Sequence, residues 1–307
     1  MSDVAVIGGN GFIGKALVAR LAERGASVTV FDRFSTGIDQ SSLPTIRAIQ
    51  GDFLSSADRA LAVEGARTVV HALSTTTPAT AQDDPALDVR TNLMPSIDLF
   101  TECARAGVER VVFLSTGGAI YGPTASPTLT EDTVPRPVSP YAIGKLAIEN
   151  YLRFFSATTG LRSTVLRLSN PYGPGQRAGR AQGLIPIALR AVAANKAVTQ
   201  YGDGSMVRDY IHIDDASRII ADVIVGDPHH EVYNVGSGEG ASVADVFRVV
   251  EQVTGRPLRI DQRPAPATFV HRSVLDTTRL RAEFMTGPMT SLVDGVRSTW
   301  LELMASD

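Results

Sequence analysis

The stretch that decides the fold runs from Val4 to Asp32 and reads VAVIGGNGFIGKALVARLAERGASVTVFD. A short apolar run, Val4 to Ile7, ends at a cluster of glycines, and a helical pattern of apolar residues begins directly after them. Gly25 ends that pattern, and a second apolar run leads to Asp32. The order of strand, tight turn, helix and strand predicts a βαβ unit.

The glycines of this stretch have the spacing of a dinucleotide-binding turn. Gly8, Gly11 and Gly14 satisfy the pattern G-x-x-G-x-x-G, and Gly9 with the last two satisfies G-x-G-x-x-G. Residues without a side chain let the chain turn sharply and let backbone N–H groups approach a pyrophosphate at the helix start. The sequence from Gly9 also reads G-x-x-x-x-G-K, but alanine follows where a phosphate-binding loop needs Ser or Thr to bind Mg²⁺.

A carboxylate at the end of the second strand indicates which dinucleotide binds. Asp32 lies eighteen residues after Gly14, where it can accept hydrogen bonds from both ribose hydroxyls of an adenosine. Its charge would also repel a 2′-phosphate. The sequence therefore favours NAD over NADP, although Arg33 beside it weakens that preference.

The composition is that of a globular protein with small-molecule partners. The chain has 307 residues, of which 44% are hydrophobic and 20% charged, and its net charge is −3 without a dense Lys/Arg cluster. We therefore expect no nucleic acid or membrane partner. Cys103 is the only cysteine, which excludes an internal disulfide and suits the reducing cytoplasm. The five histidines lack metal-ligand spacing, so no metal site is expected.

Strand-like runs and helical patterns continue to alternate after Asp32. Further strands are predicted at residues 46–49, 68–73, 110–115 and 164–168, and helices at 88–106 and 141–155. This alternation predicts an α/β fold with a doubly wound parallel sheet, the Rossmann arrangement. We expect it to span residues 1–170 with a returning strand near 231–236. Residues 171–307 are then a smaller α+β substrate-binding domain.

Tyr141 and Lys145 are spaced for acid–base chemistry. Residues four apart on a helix lie on one face, one turn apart. An ammonium group near a phenol stabilises the phenolate, so Tyr141 can act as a base nearer neutral pH, and Lys145 can also hold the nicotinamide ribose. Because a predicted strand ends close by in Ser115 and Thr116, the pair predicts a catalytic site.

The chain resembles the extended short-chain dehydrogenase/reductase family from about residue 3 to residue 280. The motifs are the glycine turn with Asp32, STGGAIYG at 115–122, and Tyr141 with Lys145. The later runs RLSNPYGP at 167–174, GDG at 202–204 and RDYIH at 208–212 resemble the nucleotide-sugar epimerase/dehydratase branch. The resemblance implies NAD-dependent epimerisation at C4 of a UDP-hexose, in its glucose, galactose or N-acetyl form, through a 4-keto sugar.

The resemblance also implies the catalytic residues. Tyr141 would remove the C4 hydroxyl proton with the help of Lys145. Gly117 occupies the position where many relatives carry a Ser or Thr that hydrogen-bonds the reacting hydroxyl. Thr116 or Ser115 would have to replace it. We favour Thr116, because it directly precedes the missing position and because neighbouring strand residues point to opposite faces.

Binding residues and a dimer are implied in the same way. Asn170 and Arg208 would contact the nucleotide diphosphate, Arg263 would add a second cation, and a helix from Leu184 to Ala194 would cover the substrate. The helices at 88–106 and 141–155 would pair with their copies in a homodimer. The expected cofactor contacts are Gly8, Gly11, Phe12, Ile13, Gly14, Asp32, Arg33, Asp52, Phe53, Ala72, Leu73, Ser74, Asn92, Tyr141 and Lys145.

Three other activities compete with epimerisation. A net dehydrogenase or reductase needs the same cofactor and acid–base pair. A 4,6-dehydratase would, by family resemblance, carry an Asp-Glu pair after the strand-end Thr, where this chain has Gly117 and Gly118. A regulatory protein that senses NAD without chemistry would have no use for Tyr141 and Lys145.

Overall fold

The computed structural model describes residues 3–34, 45–124, 126–176, 183–265, 270–284 and 287–306. The chain divides into two compact units, each assembled from three separate stretches. The first unit consists of Met1–Thr116, Pro137–Arg167 and Ser217–Tyr233. The second consists of Gly117–Arg136, Leu168–Ala216 and Asn234–Asp307.

The strands confirm the predicted α/β class. They are β1 (Val4–Ile7), β2 (Val28–Asp32), β3 (Ile46–Gln50), β4 (Thr68–His71), β5 (Arg110–Thr116), β6 (Arg162–Leu168), β7 (Asn170–Tyr172), β8 (Ala197–Tyr201), β9 (Val207–His212), β10 (Val232–Val235), β11 (Gly240–Ser242), β12 (Arg259–Arg263) and β13 (Arg272–Ser273). Seven of them form a central sheet in the order β10-β6-β5-β4-β1-β2-β3.

The central sheet is doubly wound. The pairings of β1 with β2, β2 with β3, β1 with β4 and β4 with β5 are all parallel. The strand order reverses direction between β1 and β4, and in such sheets ligands bind beyond the carboxyl ends of the strands at this switch point. Gly8 follows β1 and Ala72 follows β4, so the sheet itself brings the glycine turn and the 72–74 segment together.

The helices flank these strands. They are α1 (Phe12–Glu23), α2 (Ser56–Val63), α3 (Pro78–Asp83), α4 (Pro85–Asp88), α5 (Met94–Ala106), α6 (Pro140–Thr159), α7 (Leu184–Ala193), α8 (Ile213–Val225), α9 (Val243–Thr254), α10 (Thr278–Glu283) and α11 (Leu292–Ser306). Within the described ranges, none of these helices is long and apolar enough to cross a membrane.

The helix predicted at residues 88–106 is interrupted. A π-helical turn, Val89–Leu93, separates α4 from α5, and the Met94 N–H donates to the carbonyl of Val89. Pro95 lies in the first turn of α5 and has no N–H to continue an α-helical ladder, which gives a physical reason for the break. Asn92 lies within this turn and is 5% exposed.

Each unit has its own apolar core. In the first unit, side chains from the central sheet pack against α5 and α6, and they include Ile7, Phe31, Leu99, Phe100 and Phe113. The single thiol of Cys103 is free and buried in this core. In the second unit, β9 pairs with β7, β11 and β13, and β8 pairs in parallel with β12. Its core is formed mainly by α7 and α9.

Candidate active site

The turn between β1 and α1 has no room for side chains where it is tightest. A Cβ on Gly14 would lie 2.3 Å from the carbonyl oxygen of Gly8. Gly8 has a φ of +86°, in the region that favours glycine, and a Cβ there would lie 2.8 Å from the backbone of Leu73. The Gly8 N–H donates to the carbonyl of Phe31 at 2.8 Å. The backbone of this turn is therefore held in place and carries no side chains at these glycines, so a pyrophosphate can approach its N–H groups closely.

The start of α1 fits an anion. Gly11 is its N-cap residue and has no side chain to accept hydrogen bonds from the first-turn N–H groups, and this turn of the described helix contains no acidic residue. Phe12 and Ile13 are the first two residues of the helix. Their N–H groups and the positive end of the helix dipole together favour a phosphate.

Asp32 is held at the carboxyl end of β2 by backbone donors. Its Oδ2 accepts from the Asn10 N–H at 3.0 Å, and its Oδ1 accepts from the Arg33 N–H at 2.7 Å. The residue is partly exposed, and each carboxylate oxygen can accept a further hydrogen bond. These features fit the two hydroxyls of an adenosine ribose.

The other predicted cofactor residues differ in whether their side chain or only their backbone can contact a cofactor. Asp52 is exposed and its Oδ1 accepts from the Leu54 N–H at 3.0 Å. Phe53 is 3% exposed and its ring packs 5.3 Å from that of His71. Only the backbone of Phe53 is therefore available to a cofactor. Ala72, Leu73 and Ser74 follow β4, and the Ser74 hydroxyl donates to the carbonyl of Thr76 at 3.0 Å.

Both the oxygen and the NH₂ group of the Asn92 side chain form hydrogen bonds within the protein. Its side-chain oxygen accepts from the Thr75 N–H at 2.9 Å, and its NH₂ group donates to Thr76 Oγ1 at 2.9 Å and to Asp88 Oδ1 at 2.8 Å. Asn92 thereby fixes the segment that follows β4. A direct contact with the cofactor stays a prediction.

Tyr141 and Lys145 lie in the first turns of α6. The helix begins with Pro140, and the Ser139 hydroxyl accepts from the Ala142 N–H at 3.4 Å. Lys145 is 6% exposed, and its Nζ donates to the carbonyl of Leu114 at 3.0 Å. The same Nζ lies 6.0 Å from the centre of the Tyr141 ring. Strand β5 and helix α6 therefore fix the ammonium group beside the phenol.

The acidities of this pair depart from the sequence prediction in one respect. Burial lowers the pKa of Lys145 to about 8, while the carboxylates of Asp88 and Glu149 act in the opposite direction. Burial, together with the charge of Asp88, raises the pKa of Tyr141 to about 12. This direction is opposite to the one expected from the sequence, because burial of the phenol and the charge of Asp88 both disfavour the phenolate.

Ser115 belongs to a buried ionic network. Its hydroxyl donates to Glu149 Oε1 at 2.5 Å, and Arg167 donates to both oxygens of the same carboxylate at 3.2 and 2.8 Å. Thr116 is 8% exposed, and its hydroxyl has no hydrogen-bond partner in the described part of the chain. This difference favours Thr116 over Ser115 as the hydroxyl available to a substrate, and that assignment stays a prediction.

A pocket in the second unit brings three predicted substrate residues together. Its volume is about 240 Å³, and its lining includes Asn170, Leu184 and Arg208 beside Tyr201 and Tyr210. The Asn170 NH₂ group donates to the carbonyl of Asp209 at 2.8 Å, and Arg208 donates to the carbonyl of Val207 at 2.8 Å. Burial lowers the pKa of Arg208. The guanidinium of Arg208 is therefore a partly desolvated cation in a pocket lined by polar, aromatic and aliphatic residues.

Arg263 does not line this pocket. It ends β12, its side chain is 61% exposed, and its guanidinium donates twice to one oxygen of Asp261, at 3.0 and 2.8 Å. Its backbone is nevertheless close to the pocket wall, because it stands opposite Tyr201 in the parallel pair of β12 and β8. A phosphate contact by Arg263 would require its side chain to leave Asp261.

Three residues near the site were missed from the sequence. Glu149 and Arg167 pair next to Ser115 of β5, and Asp88 packs against α6. Glu149 stands one helical turn after Lys145, which is a signal that could have been read. Asp88 and Arg167 have no such local signal, because the fold brings them to α6 from distant parts of the sequence.

Comparison with known proteins finds relatives along nearly the whole chain. Residues 4–236 match the NAD dependent epimerase/dehydratase family. The chain is 29% identical over 305 residues to a dTDP-4-dehydro-6-deoxyglucose reductase from Escherichia coli, with 96% of this chain and 95% of the relative covered. It is 31% identical over 303 residues to a UDP-glucose 4-epimerase from Mycolicibacterium smegmatis, with 96% of each covered.

A solved structure is similar over the same extent. The crystal structure of a UDP-glucose 4-epimerase from Thermus thermophilus, in complex with NAD, has a TM-score of 0.91 and 31% sequence identity. The match covers 99% of each chain.

Proposed function

Because this chain belongs to the NAD-dependent epimerase/dehydratase family, we propose that it interconverts the C4 epimers of a nucleotide sugar of the UDP-hexose class. The observation that carries this proposal is the fixed Tyr141–Lys145 pair, whose ammonium group lies 6.0 Å from the phenol ring. The 31% identity to a UDP-glucose 4-epimerase over 96% of both chains supports the substrate class.

The cofactor is NAD. The bare turn through Gly8 and Gly14 and the uncapped start of α1 would hold its pyrophosphate, and Asp32 would accept from the adenosine ribose hydroxyls. Bound NAD⁺ would supply an acceptor that takes the C4 hydride and returns it, and a positive charge that favours the Tyr141 phenolate.

The residues of the first unit supply the proton chemistry. The Tyr141 phenolate removes the proton of the C4 hydroxyl while the C4–H bond breaks, which leaves a 4-keto sugar. Return of hydride to the opposite face and of the proton from Tyr141 to the C4 oxygen gives the epimer, without net oxidation. Lys145 stabilises the phenolate, and the Thr116 hydroxyl donates to the C4 oxygen.

The pocket of the second unit supplies nucleotide binding. Arg208 would pair with the diphosphate, because a planar guanidinium matches phosphate oxygens bidentately. The NH₂ group of Asn170 would add a neutral donor. Leu184 at the start of α7 contributes apolar surface to the same pocket.

We further propose a homodimer formed through α5 and α6. These two helices pack against each other, yet large apolar side chains on them remain exposed. Met94 is 57%, Ile143 53% and Phe154 56% exposed. Large exposed apolar side chains on two adjacent helices favour an interaction site, and a second copy can bury them by two-fold symmetry.

The experiment that tests the activity is incubation of purified protein with UDP-glucose, UDP-galactose and their N-acetyl forms, followed by proton NMR of the products. We expect one pair to equilibrate without added NADH, and denatured protein to release NAD. Tyr141→Phe is the control, and it should bind NAD while losing at least about tenfold in kcat, since general-base catalysis contributes ~10²–10⁴-fold. Stoichiometric consumption of NADH with a 4-keto sugar, and no epimerisation, would instead identify a reductase.

A further inference from the structure

Asp88 is a buried carboxylate for which the proposed reaction has assigned no role. It is 3% exposed at the end of α4. Its Oδ1 accepts from the Thr76 hydroxyl at 2.5 Å and from the Asn92 NH₂ group at 2.8 Å. Both donors are neutral, so they orient the carboxylate without cancelling its charge.

The other oxygen of Asp88 lies against the catalytic helix. A Cβ on Gly144 would come within 1.8 Å of Asp88 Oδ2, so the close approach depends on a glycine at this position. Gly144 directly precedes Lys145 and lies three residues after Tyr141 on α6. The carboxylate therefore packs on the helical turn that carries both functional side chains.

Asp88 forms no ion pair with any residue that the structure describes, in contrast to the second carboxylate near Lys145. Glu149 is bound by Arg167 through two hydrogen bonds and also accepts from Ser115. The negative charge of Glu149 is thus largely compensated, whereas that of Asp88 is available to act on its neighbours.

The remaining ionisable groups on the elements packed against α6 do not supply an uncompensated negative charge near Lys145. His71 on β4 is neutral at physiological pH, because burial lowers its pKa to about 3. The other charged groups on these elements are exposed, already paired or bound to backbone carbonyls. They are Asp83 on α3, Arg90 with Asp84 near the π-turn, Asp98 and Glu102 with Arg59 and the exposed Arg105 on α5, and Arg110 on β5, which donates to the carbonyls of Ile224 and Gly226.

We infer that Asp88 is a positioning residue for the proposed reaction, whose carboxylate fixes the turn of α6 that carries Tyr141 and Lys145 and keeps the Lys145 ammonium group protonated. An opposite charge close to a buried ammonium offsets part of its desolvation. The same charge disfavours the phenolate of Tyr141, so Asp88 favours a protonated Lys145 at the expense of the phenolate. The effect of Asp88 on catalysis rests on the proposed function, whereas its effect on the charge of Lys145 does not.

The charge of Lys145 can be measured directly, because the chain contains only the lysines Lys15, Lys145 and Lys196. Lysine labelled with ¹³C at Cε gives three resonances whose chemical shifts follow protonation. The double variant Lys15→Arg with Lys196→Arg assigns the Lys145 signal. We expect a pKa of about 8 in this background. Adding Asp88→Asn should lower that pKa by roughly one pH unit, since a nearby opposite charge shifts a pKa by ~1–3 units.

Two matched variants separate charge from structural disturbance. Asp83→Asn removes an exposed carboxylate from α3 and should leave the Lys145 titration unchanged. Thr76→Val removes a neutral donor but keeps the Asp88 charge, so the pKa of Lys145 should stay constant or rise. An unchanged Lys145 titration in Asp88→Asn would overturn the inference, and so would a fall of equal size in Thr76→Val. If Asp88→Asn did not fold, Gly144→Ala would replace it, because the added Cβ would displace the Asp88 carboxylate from α6. That variant should also lower the pKa of Lys145, and an unchanged titration in it would overturn the inference.

The catalytic consequence is tested separately. If turnover needs a protonated Lys145, the alkaline limb of kcat/KM should move to lower pH in Asp88→Asn by the same amount as the NMR titration. Absence of epimerase activity in the unmodified protein would refute the proposed function and leave the titration result standing. If the enzyme is active but the alkaline limb of kcat/KM lies at the same pH in Asp88→Asn as in the unmodified protein, only the catalytic part of the inference is refuted.

Discussion

Glu149→Gln tests whether the ionic network beneath β5 is a structural element of the first unit. Glu149 and Arg167 have side chains only 2% and 5% exposed, and they are joined by two hydrogen bonds. Removing one partner of such a pair leaves the other charge buried without compensation, which costs ~3–5 kcal/mol. The amide of glutamine can still accept from Ser115, so we expect the lower end of that range, about 3 kcal/mol.

The loss should be visible in thermal and urea denaturation. For a chain of this size, 1 kcal/mol corresponds to about 2 °C in melting temperature, so Glu149→Gln should melt at least ~6 °C below the unmodified protein. Both proteins should be compared with the cofactor either removed or saturating, because bound ligand adds to stability.

Glu109→Gln is the matched control. Glu109 pairs with Arg67 at 3.3 Å, but the two side chains are 52% and 69% exposed. The same substitution should therefore cost no more than ~1 kcal/mol. Replacing both buried charges, with Glu149→Gln and Arg167→Met, should cost less than Glu149→Gln alone, because no unpaired charge remains. Equal losses in Glu149→Gln and Glu109→Gln would refute the reasoning.

The other predictions concern the cofactor, the hydroxyl and the dimer. Asp32→Ala should weaken NAD binding and reduce the preference for NAD over NADP, measured by calorimetric titration with both, and an unaltered preference would contradict the assigned role of Asp32. Thr116→Val should lower kcat by ~10-fold or more and by more than Ser115→Ala does, as expected for one transition-state hydrogen bond. If Gly117→Ser raised kcat while Thr116→Val changed nothing, Thr116 would have no part in catalysis. Light scattering at micromolar concentration should give the mass of a dimer, and a mass near 32.6 kDa would rule out the proposed α5–α6 pairing.

Features that depend on local chain geometry could be predicted from the sequence. Gly14 and Asp32 belong to one βαβ unit, so the order of the residues is enough to predict their roles in a cofactor turn. Tyr141 and Lys145 are four residues apart on one helix, and their proximity follows from helical geometry alone. The same holds for the order of strands and helices, which determines the doubly wound sheet.

Features that depend on long-range packing could not be predicted. The approach of Asp88 to Gly144 and the pairing of Glu149 with Arg167 join residues from separate elements. The acidity of Tyr141 also depends on its three-dimensional surroundings, because burial and the charge of Asp88 decide its direction. The composition of the second-unit pocket was only partly foreseen, since Asn170, Leu184 and Arg208 line it whereas Arg263 does not.

The central claim is that C4 is oxidised and then reduced again with the same hydride. Its most direct test is incubation with UDP-glucose carrying deuterium at C4, in ordinary water, with the product analysed by NMR and mass spectrometry. The account predicts the C4 epimer with the deuterium retained at C4, from UDP-glucose or from the N-acetyl form labelled in the same way, with no accumulation of 4-keto sugar and with loss of turnover in Tyr141→Phe. Epimerised product that has lost its deuterium to solvent, or no epimer from any UDP-hexose, would contradict the account.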